Sequence, residues 1–255
     1  MTSPTPSVPA GSLVLITGVN GHLAAEIAYQ FLTRGYRVRG TVRDLAKSSW
    51  LVDDVFKNYA STGHLELVRV PQIDAPGAFD TAVKGVYIIQ HIATFGFSAD
   101  PNDIIPREVA AVRSLLTAAA KEPSVKEFVL TSSIVAATKF EADNTKFVSK
   151  DSWNKESVDE AWAPPPYDDS RAFAVYSASK VASEQEIWRF RDEEKPNFRI
   201  NSVLPQSILG RRLNKNCSSL SAALIPDLYE GNTAVIDTIV PASECFLSGV
   251  LIGLY

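Results

Sequence analysis

The sequence has very few of the residues that form disulfides or bind metals. Its 255 residues include two cysteines, Cys217 and Cys245, and three histidines that stand far apart along the chain. Two cysteines do not form a disulfide framework or a metal cluster by themselves, and scattered histidines rarely make a ligand set. The sequence therefore predicts no metal site, and it indicates a reduced, cytoplasmic protein.

An excess of positive charge and a long apolar run are also missing. Lys plus Arg is 25 and Asp plus Glu is 29, which gives a formal net charge of −4. Such a chain has no basic field to attract nucleic acid. It also has no run of the roughly eighteen apolar residues that span a membrane. Residues 1–12 are rich in Pro and Ser and have no apolar signal core, so they predict a flexible tail.

What the chain does have is an alternation of short apolar runs and amphipathic helix patterns. With 45% hydrophobic residues it can bury the core of one domain, alone or with a small lobe. We predict an α/β fold, a Rossmann-type doubly wound parallel sheet. The predicted strands are 13–17, 37–42, 65–70, 85–92, 127–131 and 199–204, and the predicted helices lie between Gly21 and Gly35, over 103–121 and over 175–191.

Residues 13–210 form this predicted domain, and two regions do not fit the sheet. Residues 139–171 are polar and include three consecutive prolines, so they predict a long surface excursion. A loop of that length often serves as a lid or a pocket wall. Residues 211–255 have a weaker pattern and are predicted to be a small or truncated C-terminal substrate lobe.

The first strand leads into a glycine-rich turn, TGVNGHLA (17–24), which opens the first helix. Gly18 permits a tight turn, Gly21 permits close approach of a pyrophosphate, and Ala24 keeps the third position small. The N–H groups at the helix start then face the phosphates. This context favours a dinucleotide site over a turn whose glycines serve geometry alone.

The second strand indicates which dinucleotide is bound. NAD sites usually carry an acid about twenty residues after the turn, but the run Arg34 to Arg43 has four arginines and no acid. Arg43 follows the strand and Lys47 comes one helical turn later, where both suit a 2′-phosphate. The alternative is a solvated basic helix start. We predict NADP rather than NAD.

A catalytic pair is predicted on the last helix. Tyr176 and Lys180 are four residues apart in YSASK, which places them on one helix face. An ammonium beside a phenol favours its ionised form, as a proton donor for carbonyl reduction requires. The fifth strand ends in Thr131-Ser132-Ser133, at the edge where such sheets bind ligands. Ser133 is the preferred candidate for binding the substrate oxygen, and Ser132 is the alternative.

These residues together resemble the extended short-chain dehydrogenase/reductases, in the NAD(P)-dependent epimerase/dehydratase family. The resemblance is to the branch of dihydroflavonol reductases, cinnamoyl-CoA reductases and fungal aldehyde or methylglyoxal reductases. It extends from about residue 13 to residue 210 and is carried by TGVNGHLA (17–24), YRVRGTVRD (36–44), APGAFDTAVKGV (75–86), DPNDIIPREV (100–109), EPSVKEFVLTSS (122–133), YSASK (176–180) and SVLPQSILG (202–210).

The resemblance implies a Ser-Tyr-Lys triad and NADP(H). In these roles Ser133 polarises the carbonyl, Tyr176 donates the proton, and Lys180 orders the nicotinamide ribose. Tyr176 and Lys180 would also touch the cofactor. The remaining implied cofactor residues are Gly18, Val19, Asn20, Gly21, His22 and Leu23 at the pyrophosphate, Arg43 and Lys47 at the 2′-phosphate, Gln72 and Ile73 at the adenine, and Ala93, Pro205 and Gln206 along its length.

The sequence also departs from the family pattern. Gln72 stands where an Asp is usual beside the adenine, and His22 replaces the usual aromatic residue of the glycine turn. Family members continue beyond the position of Tyr255 into a lobe that closes the pocket. The pocket here is therefore expected to be open, completed by a second subunit of a homodimer, or lost.

The expected activity is NADPH-dependent reduction of an aldehyde or ketone, with a polyketide-type secondary metabolite as one substrate class. One alternative is a scaffold or decayed paralogue that binds the cofactor without chemistry. The other is an epimerase or dehydratase of the same fold acting on nucleotide sugars.

Overall fold

The protein is described here from a computed structural model, which covers residues 8–139, 147–217 and 229–232. Helices, some of them single turns, separate most of its strands. The strands are β1 (Leu13–Ile16), β2 (Arg37–Val42), β3 (Leu65–Arg69), β4 (Ile88–His91), β5 (Glu127–Thr131) and β6 (Arg199–Val203), and the α-helices are α1 (His22–Thr33), α2 (Lys57–Ser61), α3 (Pro101–Ala120), α4 (Lys155–Ala161) and α5 (Ala172–Glu194).

The strands form one parallel sheet in the order β3-β2-β1-β4-β5-β6. In the centre of the sheet, Val14 of β1 lies beside Val38 of β2 and Ile88 of β4. The chain adds β2 and β3 on one side of β1, and then crosses over to add β4, β5 and β6 on the other side. This reversal leaves a crevice at the carboxyl ends of β1 and β4, where open α/β sheets bind ligands. The predicted fold class is confirmed.

Helices cover both faces of the sheet, and β1 at its centre is accordingly apolar throughout. On one face, Leu115 and Leu116 of α3 and Ile187 of α5 pack with Phe128 of β5. On the other face, Ala24 and Ala28 of α1 pack against Val14 and Ile16 of β1. The small residues let α1 approach β1 closely, and this places the start of α1 directly over the crevice.

Several element boundaries differ from the sequence predictions because caps and turns decide them. The fourth strand begins at Ile88 rather than at residue 85, where Gly85 adopts a positive φ of 71°. Helix α3 begins at Pro101, since the Asp100 side chain accepts a hydrogen bond from the Asn102 N–H at 2.9 Å. Helix α5 spans 172–194, longer than the predicted 175–191 at both ends.

The predicted excursion 139–171 is not entirely a surface loop. It contains α4, which the Asn154 side chain caps by accepting from the Ser157 N–H at 3.0 Å. The Asn154 amide also donates to the Val135 carbonyl at 2.8 Å, and Ala161 is buried against Val175 of α5. Polar capping residues look like loop in a sequence, although here they anchor a helix. Residues 140–146 lie outside the described residues.

The predicted N-terminal tail is shorter than residues 1–12. Val8 is buried in the core, its carbonyl accepts from the Tyr36 hydroxyl at 3.3 Å, and the Gly11 N–H donates to the Gly35 carbonyl at 3.1 Å. Residues 1–7 lie outside the described residues. In the ranges that the structure covers, no helix is long and apolar enough to cross a membrane.

The predicted C-terminal lobe is described mainly through residues 211–217. This segment returns to α1, where the Arg211 guanidinium lies 4.7 Å from the Tyr29 ring centroid and pairs with Glu26 at 3.4 Å. Leu213 packs against the apolar cluster on this face of the sheet. Residues 218–228 and 233–255 lie outside the described residues.

Candidate functional site

The glycine turn lies between β1 and α1, at the centre of the crevice. Gly18 adopts a positive φ of 64°, and a Cβ there would stand 3.2 Å from the Ala93 Cβ. The Gly21 N–H donates to the Gly18 carbonyl at 2.9 Å, and Gly21 is the N-cap of α1. Because glycine has no capping side chain, the first N–H groups of α1 face the crevice without a side-chain acceptor from their cap.

Thr17 ties the glycine turn to the end of β4. Its hydroxyl oxygen accepts from the backbone N–H groups of Ile92 at 2.9 Å and Ala93 at 3.0 Å. The hydroxyl proton is then available to His91 Nδ1, 2.9 Å away, which makes His91 a neutral ring protonated on Nε2. Complete burial, helped by the charge of Lys180, lowers the pKa of His91 to about 3.

The buried, neutral His91 makes the free energy of unfolding depend on pH. Below about pH 6.5 an unfolded His91 takes up a proton, whereas the folded one stays neutral until about pH 3. The free energy of unfolding should therefore fall as the pH drops through this window, by about 2 kcal/mol at pH 5 from this group. His91→Asn keeps an acceptor for Thr17 but does not titrate. Denaturant titrations at pH 5 and 7 should show a smaller acid loss in this variant, and equal losses would contradict the assignment.

The Val19 side chain packs directly against the backbone of Gly40 on β2 and leaves no room for a side chain there. A Cβ on Gly40 would stand 2.3 Å from Val19 Cγ1 and 2.8 Å from Val19 Cβ. Valine has one stiff rotatable bond and Val19 is fully buried, so it cannot turn aside easily. Gly40 therefore sets the position of the glycine turn from the neighbouring strand.

Gly40→Ala should displace the turn and destabilise the fold. We expect the free energy of unfolding to drop by about 1–3 kcal/mol, as for other overpacked core sites, and dinucleotide affinity to fall with it. Gly210→Ala is the matched control, because nothing lies within 4 Å of a Cβ at that position. Chemical denaturation and dinucleotide titration of both variants test this, and equal behaviour of the two variants would contradict it.

His22, the first residue of α1, is buried and its Nδ1 has no hydrogen-bond partner among the described residues. Burial lowers the pKa of His22, and the nearby positive charge of Arg212 lowers it further. The uncapped N–H groups at the start of α1, the unpartnered His22 nitrogen and the Arg212 guanidinium together can bind an anion. These residues fit the pyrophosphate of a dinucleotide, and sequence reasoning did not anticipate Arg212.

The remaining residues of the predicted dinucleotide site lie along the same edge of the sheet. Arg43 and Lys47 are exposed just after β2, and the Asp44 carboxylate accepts from the Lys47 N–H at 3.1 Å. Gln72 is exposed after β3, the strand beside β2. Asn20 is exposed, while Leu23, Ile73, Ala93 and Gln206 are partly buried and Pro205 is buried.

The predicted catalytic pair lies on α5 above this edge. The Lys180 side chain is buried, and its Nζ is 5.6 Å from the centroid of the Tyr176 ring. The same Nζ donates to the Thr94 hydroxyl at 3.2 Å. The Phe97 ring stacks on the Tyr176 ring, with centroids 4.7 Å apart, and is half exposed.

The two candidate serines have different surroundings. The Ser132 hydroxyl donates to Glu184 Oε2 at 2.6 Å, inside the interface with α5. Burial raises the pKa of Glu184, so this hydrogen bond compensates a desolvated carboxyl. The Ser133 hydroxyl lies 3.4 Å from the Pro205 carbonyl, in a long contact where β5 and β6 end. Its oxygen also accepts, weakly, from the Val135 N–H at 3.5 Å.

Sequence reasoning missed Thr94, whose hydroxyl accepts from Lys180, and Glu108, which contacts Thr94. A signal for Glu108 was present: the apolar face of α3 includes Ile105 and Val112, and residue 108 falls on the same face at helical spacing. A charged residue on a buried face usually has a partner. Among the described residues, no group of three or more His, Cys, Asp or Glu could hold a metal ion.

Comparison with known proteins identifies the family. A family model described as the NAD dependent epimerase/dehydratase family matches residues 14–241. The chain belongs to this family. An NAD-dependent epimerase/dehydratase, terH of Aspergillus terreus, is 43% identical over 231 residues, which is 90% of this chain and 68% of that protein. Aldehyde reductase 2 of Sporidiobolus salmonicolor is 36% identical over 251 residues, 97% of this chain and 72% of that protein.

Solved structures of reductases share the fold. Yeast methylglyoxal/isovaleraldehyde reductase Gre2, solved with NADPH, aligns with a TM-score of 0.70 at 24% identity. The alignment covers 86% of this chain and 66% of Gre2. The chain thus spans about two thirds of the length of the relatives it matches.

Proposed function

We propose that this protein is an NADPH-dependent reductase of an aldehyde or ketone. The observation that carries the proposal is the pairing of Tyr176 with the buried Lys180 ammonium on one face of α5, above the dinucleotide crevice. The similarity to aldehyde reductase 2 of Sporidiobolus salmonicolor supports the same class of reaction.

The roles of the residues follow from their chemistry. When bound, the reduced nicotinamide supplies a hydride to the carbonyl carbon. Tyr176 donates a proton to the carbonyl oxygen, so the carbonyl becomes an alcohol and the phenol becomes a phenolate. The Lys180 ammonium stabilises that phenolate, because opposite charges in a partly buried site attract strongly. Lys180 also has donors with which to hold the nicotinamide ribose.

Ser133 is the proposed hydrogen-bond donor to the substrate oxygen. The Ser132 hydroxyl already donates to Glu184 inside the α5 interface. The Ser133 hydroxyl has a long contact with the Pro205 carbonyl at 3.4 Å, which a substrate oxygen can replace at little cost. This contrast supports Ser133 over Ser132.

NADP(H) is the proposed cofactor because of the residues after β2. Arg43 and Lys47 are both exposed there, and the Asp44 carboxylate is occupied by the Lys47 N–H. An acid occupied in this way is poorly placed to bind the ribose hydroxyls of NAD, whereas a guanidinium and an ammonium suit a 2′-phosphate.

Arg43→Ala should weaken NADPH binding by about 10- to 100-fold, the effect of losing hydrogen bonds to a charged group. NADH has no 2′-phosphate, so its affinity should stay the same. Arg34→Ala is the matched control, because this exposed arginine lies at the end of α1 and donates to Gln30 instead. Titrations by nicotinamide fluorescence measure both constants. A parallel loss for NADPH and NADH would contradict the assignment of Arg43.

The proposed substrate class is a carbonyl with an aromatic or polyketide-type body. Phe97 is half exposed beside Tyr176, so it offers an apolar ring to a substrate held at the phenol. A homodimer that completes the pocket stays a prediction.

The competing functions within the fold give different products. An epimerase or dehydratase would convert a nucleotide sugar with no net use of NADPH, and a scaffold would bind NADPH and convert nothing. Incubation with NADPH and a panel of aromatic and aliphatic aldehydes and ketones tests this. We expect loss of NADPH absorbance with equimolar alcohol formation. UDP-sugar conversion instead, or NADPH binding without turnover of any carbonyl, would refute the proposal.

A further inference from the structure

Glu108 is a carboxylate buried on the inner face of α3, close to the site, with an exposed fraction of 2%. Its Oε1 accepts from the Phe95 N–H at 2.8 Å and from the Thr94 hydroxyl. A buried charge is costly unless it is hydrogen-bonded, so these contacts are important for keeping it in place. Both donors belong to the segment that follows β4 and borders the crevice.

Thr94 connects this carboxylate to Lys180. The Lys180 Nζ donates to the Thr94 oxygen at 3.2 Å, and Thr94 contacts Glu108 on its other side. An ammonium can only donate and a carboxylate can only accept. The Thr94 proton must therefore point to Glu108 and a lone pair to Lys180, which fixes the orientation of the hydroxyl from both ends.

None of the other ionisable groups described near Lys180 could orient the Thr94 hydroxyl in place of Glu108. His91 is neutral and already accepts the Thr17 proton. Arg107, next to Glu108 on α3, turns away, with its guanidinium 4.1 Å from the Phe95 ring centroid and its Nε 2.8 Å from Asp74. Tyr176 meets Lys180 with its ring. Within the described contacts, Glu108 is thus the anion joined to Lys180 through a shared hydroxyl.

We infer that Glu108 and Thr94 are positioning residues, which hold the Lys180 ammonium beside Tyr176. This inference rests on the proposed function. Lysine has a flexible four-carbon side chain, and keeping it in one rotamer needs a defined acceptor. The Glu108 carboxylate orients the Thr94 hydroxyl, so that a lone pair of its oxygen is always available as the acceptor for Lys180. Through the Phe95 N–H it also anchors the segment that carries Phe97, which stacks on Tyr176.

The test uses substitutions that remove or keep the hydroxyl. Thr94→Val has the same shape without the oxygen and should lower kcat by about 10- to 100-fold, the effect of one hydrogen bond to a charged group. The KM for the carbonyl should stay close to that of the wild type. Thr94→Ser should restore kcat, and Glu108→Gln should lower it. Glutamine at position 108 keeps an oxygen that accepts from the Phe95 N–H, so both substitutions act on Lys180 through the Thr94 contact. The double variant T94V/E108Q should therefore be no worse than T94V alone.

A matched control separates positioning from a general loss of stability. Glu186 is also a buried carboxylate, on α5, and it pairs with Arg113 at 3.0 Å. Glu186→Gln should leave kcat unchanged. An equal fall in kcat for Glu186→Gln, or additive losses in the double variant, would overturn the inference.

A second readout needs neither cofactor nor substrate. In the chain labelled with ¹³C at lysine Cε, the Lys180 resonance is identified by its loss in Lys180→Arg. We expect this resonance to shift in Thr94→Val and Glu108→Gln but not in Thr94→Ser or Glu186→Gln. If the wild type reduces no carbonyl, the proposed function fails while the resonance still decides the inference. If the wild type is active but Thr94→Val changes neither kcat nor the resonance, the inference alone is overturned.

Discussion

Tyr176→Phe should abolish carbonyl reduction while leaving NADPH binding nearly intact. The phenol is the proposed proton donor, and loss of a positioned general acid typically costs about 10²- to 10⁴-fold in rate. The ring should keep its place, because its stacking on Phe97 at 4.7 Å and its contact with Lys180 need no hydroxyl. Steady-state rates and fluorescence titration with NADPH give the two quantities.

Phe173→Leu is a suitable control for this experiment, since Phe173 lies one turn before Tyr176, with ring centroids 6.2 Å apart. It should change kcat much less than Tyr176→Phe does. If Tyr176→Phe turns over like the wild type, Tyr176 is not the proton donor. If turnover and NADPH affinity fall together, the hydroxyl serves binding rather than proton transfer.

Lys180→Met should cause a loss of similar size and should also weaken NADPH binding. Methionine fills nearly the same volume without the charge, so the buried site loses its ammonium but little packing. The Tyr176 phenolate would then form without a neighbouring cation, and the ribose would lose its donor. We expect kcat to fall by about 10²- to 10⁴-fold and the dissociation constant for NADPH to rise.

Lys121→Met serves as the control, because the Lys121 side chain is 66% exposed at the end of α3. Its kcat and NADPH affinity should match the wild type. Unchanged turnover in Lys180→Met would contradict the role of the ammonium. A loss of folding, seen as an early thermal transition, would direct the test to Lys180→Arg, which keeps the charge and should retain more activity than Lys180→Met.

The sequence predicts most of the fold because short apolar runs, such as Leu13–Ile16 of β1, stand between clear breaks. The fifth strand, 127–131, has the bounds that the structure shows, since its apolar core is flanked by clear breaks. Elements bounded by polar caps were harder to predict. Helix α4 was missed because Asn154 and Ser157 look like loop residues, although both are buried in its first turn.

Some site residues can be predicted from local sequence motifs, whereas others depend on contacts with residues far away in the sequence. Gly18 and Gly21 stand in a local pattern, and so do Tyr176 and Lys180, so a single sequence is enough to find them. Thr94 and Arg212 are far from Lys180 and His22 in the sequence, and the fold brings them together. No local sequence motif therefore identifies either residue. The surroundings of Ser132 and Ser133 likewise depend on Glu184 and Pro205, which are 52 and 72 residues away along the chain.

Transfer of deuterium from NADPH that carries two deuterium atoms at C4 of the nicotinamide, so that either face delivers the label, decides whether this chain reduces a carbonyl by direct hydride transfer. The purified chain is incubated with the labelled cofactor and the best carbonyl substrate, and the alcohol is analysed by mass spectrometry. We expect one deuterium on the carbinol carbon for each NADPH consumed, with the hydroxyl proton coming from solvent by way of Tyr176. An alcohol without label, or label that stays in the cofactor while a nucleotide sugar is converted, would contradict it.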